Sequence, residues 1–180
     1  MTNKNNLIIY SIGFGILIVL VSLLIINQNN GSAGLTTSNS AELTTNGSAG
    51  FLAAIESNFD FGTISMRNGK VSYKFEIKND GTEPLTINKI YTSCMCTTVT
   101  MTDSAGKNYG IFGMPGHGGA ASRTNVKLDA GKSLMAEAVF DPAAHGPSGV
   151  GLAQRTVYFE TDSIKSPTLE LNFTATVINK

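Results

Sequence analysis

The sequence predicts an all-β sandwich preceded by a single N-terminal transmembrane helix and a flexible linker. Three observations carry that expectation. An uncharged apolar run lies near the N-terminus, a polar stretch too poor in hydrophobic residues to fold follows it, and a period-two alternation runs through most of the remainder. With 13 basic and 13 acidic residues the chain carries no electrostatic footprint for nucleic acid, and no nucleic-acid partner is expected. Tryptophan is absent and histidine occurs twice, which leaves little material for acid–base catalysis.

Residues 7–26, LIIYSIGFGILIVLVSLLII, contain no charge. As a helix they span roughly 30 Å, the hydrocarbon thickness of a bilayer. Lys4 precedes the run and the next basic residue is Arg67. The positive-inside rule therefore places residues 1–6 in the cytoplasm and everything after Ile26 outside it. The expected location is the cell membrane, crossed once, with the membrane itself as a partner of the helix. A cleaved signal peptide is the alternative, with Gly31-Ser32-Ala33 as the cut site, and it would release the remainder as a secreted domain.

Residues 27–53 read as an Asn/Gly/Ser/Thr-rich tether. Up to Gly50 this stretch holds one charge, Glu42, and two leucines, too little apolar surface to offset the entropy of folding. The pentapeptide NGSAG occurs at Asn30–Gly34 and again at Asn46–Gly50, as in a duplicated spacer. A flexible chain of this length has an end-to-end distance of about 25–30 Å.

From residue 54 to 180 the pattern is that of strands. In KVSYKFEIKND, Val71, Tyr73, Phe75 and Ile77 fall on one face and Ser72, Lys74, Glu76 and Lys78 on the other. In TLELNFTATVI, Leu169, Leu171, Phe173, Ala175 and Val177 alternate with Glu170, Asn172, Thr174 and Thr176. Both predict antiparallel strands with one buried face. Weaker runs of the same kind are Leu85–Ile90, Thr97–Met101, Ser133–Phe140 and Thr156–Thr161. Asn79-Asp80-Gly81, Asp129-Ala130-Gly131 and Asp141-Pro142 separate them, the first expected to close a hairpin on a positive-φ glycine. About seven short strands of this spacing predict an immunoglobulin-like β-sandwich.

Residues 102–125 break the rhythm, with six glycines and no alternation. They are expected to be a structureless Gly-rich insertion, and such loops often carry function. Tyr109, Ile111, Phe112, Met114 and His117 are its candidate interaction residues.

The chain's only cysteines, Cys94 and Cys96, are two residues apart. On a strand they share a face, with Cα atoms about 6.5 Å apart, near the upper limit of about 6.8 Å for a bridge. A disulfide here would need a local bend and would be readily reduced. Alternatively two thiolates would bind a soft ion such as Cu(I), with Met101, Met114 or His117 as further ligands. Zinc would need more donors than Cys94, Cys96 and His117 supply. The third reading is two small buried hydrophobes, which the oxidants outside the cytoplasm weaken. His145, with no carboxylate or cysteine near it in sequence, reads as a solvated loop residue. No nucleophile triad, carboxylate pair or phosphate loop can be assembled, so the chain is not expected to be an enzyme.

Several motifs follow one another in a recognisable order: FDFGTI at Phe59–Ile64, YKFEIKNDGTEPLTINKIYTSCMCTTV at Tyr73–Val99, LDAGKS at Leu128–Ser133 and VFDP at Val139–Pro142. This order resembles the bacterial domain of unknown function 1573, a sandwich similar to major sperm protein and ASH-type domains. The resemblance extends over about Ala54 to Val177 and implies an exported or membrane-attached module without established activity, in which the C-x-C recurs at the matching place. The Gly-rich insertion departs from the family's short connection there. The expected function is a membrane-anchored, extracytoplasmic interaction or structural module of the bacterial cell envelope with a protein partner and no cofactor. The alternative is a soft-metal (Cu or Zn) or thiol-redox domain built on Cys94 and Cys96.

Overall fold

The computed structural model describes residues 47–117 and 122–180. The expected transmembrane helix, residues 7–26, lies outside the described residues, as does most of the tether. Among the described residues no helix is long and apolar enough to cross a membrane.

Ten strands follow in order: β1 (Leu52–Ala54), β2 (Asn58–Ser65), β3 (Val71–Asn79), β4 (Leu85–Thr92), β5 (Thr97–Asp103), β6 (Asn108–Phe112), β7 (Arg123–Leu128), β8 (Ser133–Phe140), β9 (Gly151–Thr161) and β10 (Thr168–Ile178). They form two five-stranded sheets, ordered β1-β3-β8-β5-β6 and β2-β10-β9-β4-β7. The expected alternation holds where it was strongest. Phe75 and Ile77 of β3, and Leu171, Phe173, Ala175 and Val177 of β10, are buried. Within the first sheet large side chains flank a small one: Phe75 stands opposite Ala136 across β3–β8, and Met101 opposite Ala136 across β5–β8, all three buried.

Five expectations need correction. Among the described residues the strands number ten, because the four edge strands, β1, β2, β6 and β7, are half in water and escape a period-two search. The turn Asn79-Asp80-Gly81 closes no hairpin, since β3 and β4 belong to different sheets. Gly81 is required there for close approach, not for a positive φ: a Cβ on it would stand 2.5 Å from the Phe51 amide nitrogen. The tether ends earlier than residue 53. Ser48 forms a parallel bridge with Ser163, and β1 pairs with β3 from Leu52 onward. Strand pairing is not wholly antiparallel either, for β2 runs parallel to β10.

The Gly-rich insertion, residues 102–125, is also largely structured. Its residues build β6, which folds back on β5, and the start of β7. The β5–β6 reversal is held by Asp103, whose Oδ1 accepts from the amides of Ala105 and Lys107, both at 2.9 Å. Gly110, at φ +118°, sits where the β5–β6 register slips, which is why the strand shows no clean alternation.

Candidate functional site

The two cysteines do not sit on a strand. They occupy the turn between β4 and β5, where the chain passes from one sheet to the other. The Thr97 amide closes the turn on the Cys94 carbonyl at 3.1 Å. Buried Thr92 staples it from within, its hydroxyl donating to the carbonyls of Cys94 at 2.9 Å and Thr97 at 3.0 Å. Both flanking strands hold it from outside. The Asp141 amide, past the end of β8, donates to the Cys96 carbonyl at 2.8 Å, and Ser93 exchanges hydrogen bonds with Thr156 of β9.

The turn supplies the bend that an extended strand lacks. The Cα atoms of Cys94 and Cys96 lie 5.3 Å apart, and the two sulfurs are joined as a disulfide. Their exposure differs: Cys96 is 3% exposed, whereas Cys94 is only half-buried. Met95, between them, points outward and is 50% exposed.

Two polar side chains from distant parts of the sequence complete the site. His145 comes from the β8–β9 connection and brings Nε2 to 3.2 Å from Cys94 Sγ. Arg155 projects from β9, and its Nε–H donates to Cys96 Sγ at 3.0 Å while Nη1 donates to the Gln154 carbonyl at 2.7 Å. Its guanidinium lies 5.7 Å from the centre of the Phe140 ring, and burial lowers its pKa from the ordinary value. The Cys96 amide faces Cys94 Sγ at 3.4 Å, and the Thr97 hydroxyl faces Cys96 Sγ at 3.8 Å. Cys94 thus meets an imidazole and a backbone donor, and Cys96 a half-buried cation.

Of the histidines, the structure brings His145 rather than His117 to the sulfurs, so the ligand set expected from the sequence is corrected. His117 is exposed beyond β6, its ring nitrogen 3.4 Å from the Pro115 carbonyl. Met101 is fully buried in the core and Met114 is half-buried after β6. The ligand atoms of Cys94, Cys96 and His145 lie within 4.8 Å of one another, a set that a soft cation such as copper or zinc would accept once the bridge is reduced. Arg155 argues against a dedicated cation site, because it brings a positive charge into contact with one of the two sulfurs.

The expected interaction residues separate. Ile111 is 57% exposed, whereas Phe112 is 2% exposed and belongs to the core, unable to meet a partner. Tyr109 is half-buried, donating its hydroxyl to Asp103 Oδ2 at 3.1 Å, with burial and then Asp103 raising its pKa.

One sequence signal for Arg155 lies in β9 itself. Ala153, Arg155, Val157 and Phe159 alternate along one face, of which only Arg155 is charged. A charge on an apolar face calls for a partner.

A two-sheet immunoglobulin-like sandwich with a cysteine turn at one sheet crossing is the class these features define. Residues 52–109 match the family described as protein of unknown function (DUF1573), a stretch that holds the FDFG segment, the Asn79-Asp80-Gly81 turn and the C-x-C. No curated protein sequence matches the chain. A protein of unknown function from Porphyromonas gingivalis W83 has a similar crystal structure, with 17% identity over 77% of this chain and a TM-score of 0.51. The chain spans 51% of that protein's length. The ASH / PapD-like domain 7 of human CEP192 is similar at 15% identity, covering 83% of this chain and 98% of its own, with a TM-score of 0.43. At these identities the likeness concerns the fold alone.

Proposed function

We propose that this chain is a membrane-anchored, extracytoplasmic interaction module of the cell envelope, not a catalyst, which meets a partner protein by strand addition at the β6 edge. The anchor is the uncharged run 7–26, with the N-terminus cytoplasmic by the positive-inside rule. The observation that carries the reading is β6 itself. It ends its sheet, pairs among the described residues only with β5, and turns Ile111 outward at 57% exposure. An open edge offers a row of backbone donors and acceptors, and an exposed apolar side chain beside it gives a partner strand something to bury. The other edges suit this less. β1 is three residues long, β2 is broken by a bulge at Gly62, φ +67°, where its register with β10 slips, and β7 turns Arg123 and Lys127 to solvent, a charge pattern that discourages strand addition.

A photo-crosslinking residue at Ile111 of the full-length chain, compared in cells with the same residue at Lys127, tests this reading. An adduct with an envelope protein is expected at position 111 and not at 127. Equal yields at both positions, or none at 111, would remove the β6 edge as the contact.

A second reading, thiol-redox chemistry, is favoured by one specific observation. Cys94 and Cys96 lie together in a turn pinned from both sheets, and each sulfur has its own polar partner.

A further inference from the structure

We propose that the Cys94–Cys96 turn is a dithiol–disulfide exchange site in which Cys94 is the sulfur attacked and Cys96 the sulfur that leaves, the co-reactant being a dithiol on another protein or peptide. This rests on the thiol-redox reading of the pair and assigns the roles within it.

Exposure sets the direction of attack. A thiolate displaces sulfur from sulfur by approaching along the S–S axis, and access decides which sulfur it reaches. Cys94 is half-buried and open to such an approach, while Cys96 at 3% exposure is closed. Exposed Met95 between them offers an adaptable apolar contact beside the reacting sulfur.

Charge sets which sulfur leaves. A leaving sulfur departs faster the better its thiolate is stabilised. The Nε–H of Arg155 is aimed at Cys96 Sγ from 3.0 Å, on a guanidinium that remains charged. Against a neutral disulfide sulfur that hydrogen bond is weak, and against a thiolate it becomes charge-assisted and short. The interaction therefore grows as the bond breaks.

The steps balance as follows. A partner thiolate attacks Cys94 Sγ, the Cys94–Cys96 bond breaks, and its electron pair passes to Cys96 Sγ beside Arg155. The partner and Cys94 are then joined as a mixed disulfide. The partner's second thiolate attacks the partner's own sulfur in that bond, and Cys94 leaves, taking a proton from His145, whose Nε2 stands 3.2 Å away. The partner dithiol has lost two electrons and become a disulfide, and the cysteine pair has gained them. Of the partner's two thiol protons, one replaces the proton given by His145 and the other goes to solvent while Cys96 remains a thiolate. Among the described residues, the charged or titratable side chains hydrogen-bonded to the sulfurs are His145 from the β8–β9 connection and Arg155 from β9. β5 contributes the neutral Thr97 hydroxyl.

The test uses the full-length chain, with dithiothreitol as the dithiol and oxidised glutathione as the trapping disulfide. Reduction by dithiothreitol is followed first in the wild-type chain by counting thiols. A folded chain that holds no bridge, or whose bridge dithiothreitol leaves intact until the chain is denatured, would sink the thiol-redox reading itself. With reduction established, the roles are separated by single variants. Cys96→Ser, which keeps Cys94, is expected to form the mixed disulfide with glutathione at least about tenfold faster than Cys94→Ser, which keeps the buried sulfur. Equal rates or the reverse order would overturn the assignment. Arg155→Met keeps the stem packed and loses the charge. It should slow reduction of the wild-type bridge by about tenfold and raise the thiolate titration midpoint of the Cys94→Ser chain by about one unit or more, with Arg155→Lys close to the parent in both. A midpoint unmoved by Arg155→Met would overturn the role of the guanidinium. Serine is nearly isosteric with cysteine, so the comparison of the two serine variants decides the matter even if Arg155→Met fails to fold.

Discussion

Replacing Asn79 with alanine tests how the two sheets are joined. The side chain is 0% exposed and makes four hydrogen bonds. Oδ1 accepts from the amides of Phe51 and Gly81, both at 3.0 Å, and Nδ2 donates to the carbonyls of Glu83 at 2.8 Å and Leu128 at 2.9 Å. One residue thereby ties together the entry to β1, the β3–β4 crossing and the end of β7. Alanine leaves the buried Leu128 carbonyl without this donor, at about 1–3 kcal/mol, and loses three further bonds of about 0.5–1.5 kcal/mol each whose partners water can partly reach. Allowing for that rescue, the expected loss is about 3–5 kcal/mol, a large part of an ordinary domain's stability. The assay is urea unfolding of the full-length chain followed by circular dichroism, since the chain has no tryptophan. Asn79→Asp is the companion variant. It keeps the acceptor but turns a second oxygen toward two carbonyls, and should lose at least as much at neutral pH. A loss below about 1 kcal/mol for Asn79→Ala would refute the claim that this side chain joins the sheets.

Two more perturbations follow from the same geometry. Gly81→Ala places a Cβ 2.5 Å from the Phe51 nitrogen and 2.6 Å from Gly50 Cα, so backbone must move. Gly131→Ala meets open space and incurs only the left-handed penalty of φ +73°, about 1–2 kcal/mol. Unfolding experiments should therefore rank Gly81→Ala as the more destabilising, although only Gly131 has positive φ. Asp103 has its pKa lowered from the ordinary value, chiefly by the Lys107 amide and further by Tyr109 and the Ala105 amide, against an opposing effect of burial. A depressed carboxyl contributes stability that is complete above its unfolded value of about 3.9 and is lost as pH falls through the lower folded one. Asp103→Asn should flatten the acid side of the stability profile in that window, and an unchanged slope there would contradict the contribution.

How much could be read in advance depended on burial. β3 and β10 each have one buried face, and Phe75, Ile77, Leu171 and Phe173 write that face into the alternation. β6 could not be read this way, because Gly110 interrupts it and the edge leaves Ile111 in water. Sheet assignment was hidden as well. Local pattern names strands but not their neighbours, so the Asn79-Asp80-Gly81 crossing looked like a hairpin. At the site, Cys94 and Cys96 were visible as a pair. His145 and Arg155, 51 and 59 residues away from the sulfurs they meet, required the fold to bring them in. Arg155 left a trace as the charged member of an apolar face, whereas His145 left none.

The site stands or falls on the state of the two sulfurs, which the intact mass of the native full-length chain, with and without a thiol-blocking reagent, reads directly. A bridged pair gives a mass two hydrogens below the dithiol with no label, and two labels after exposure to a dithiol. Two labels without prior reduction would contradict the account, as would added mass matching copper or zinc.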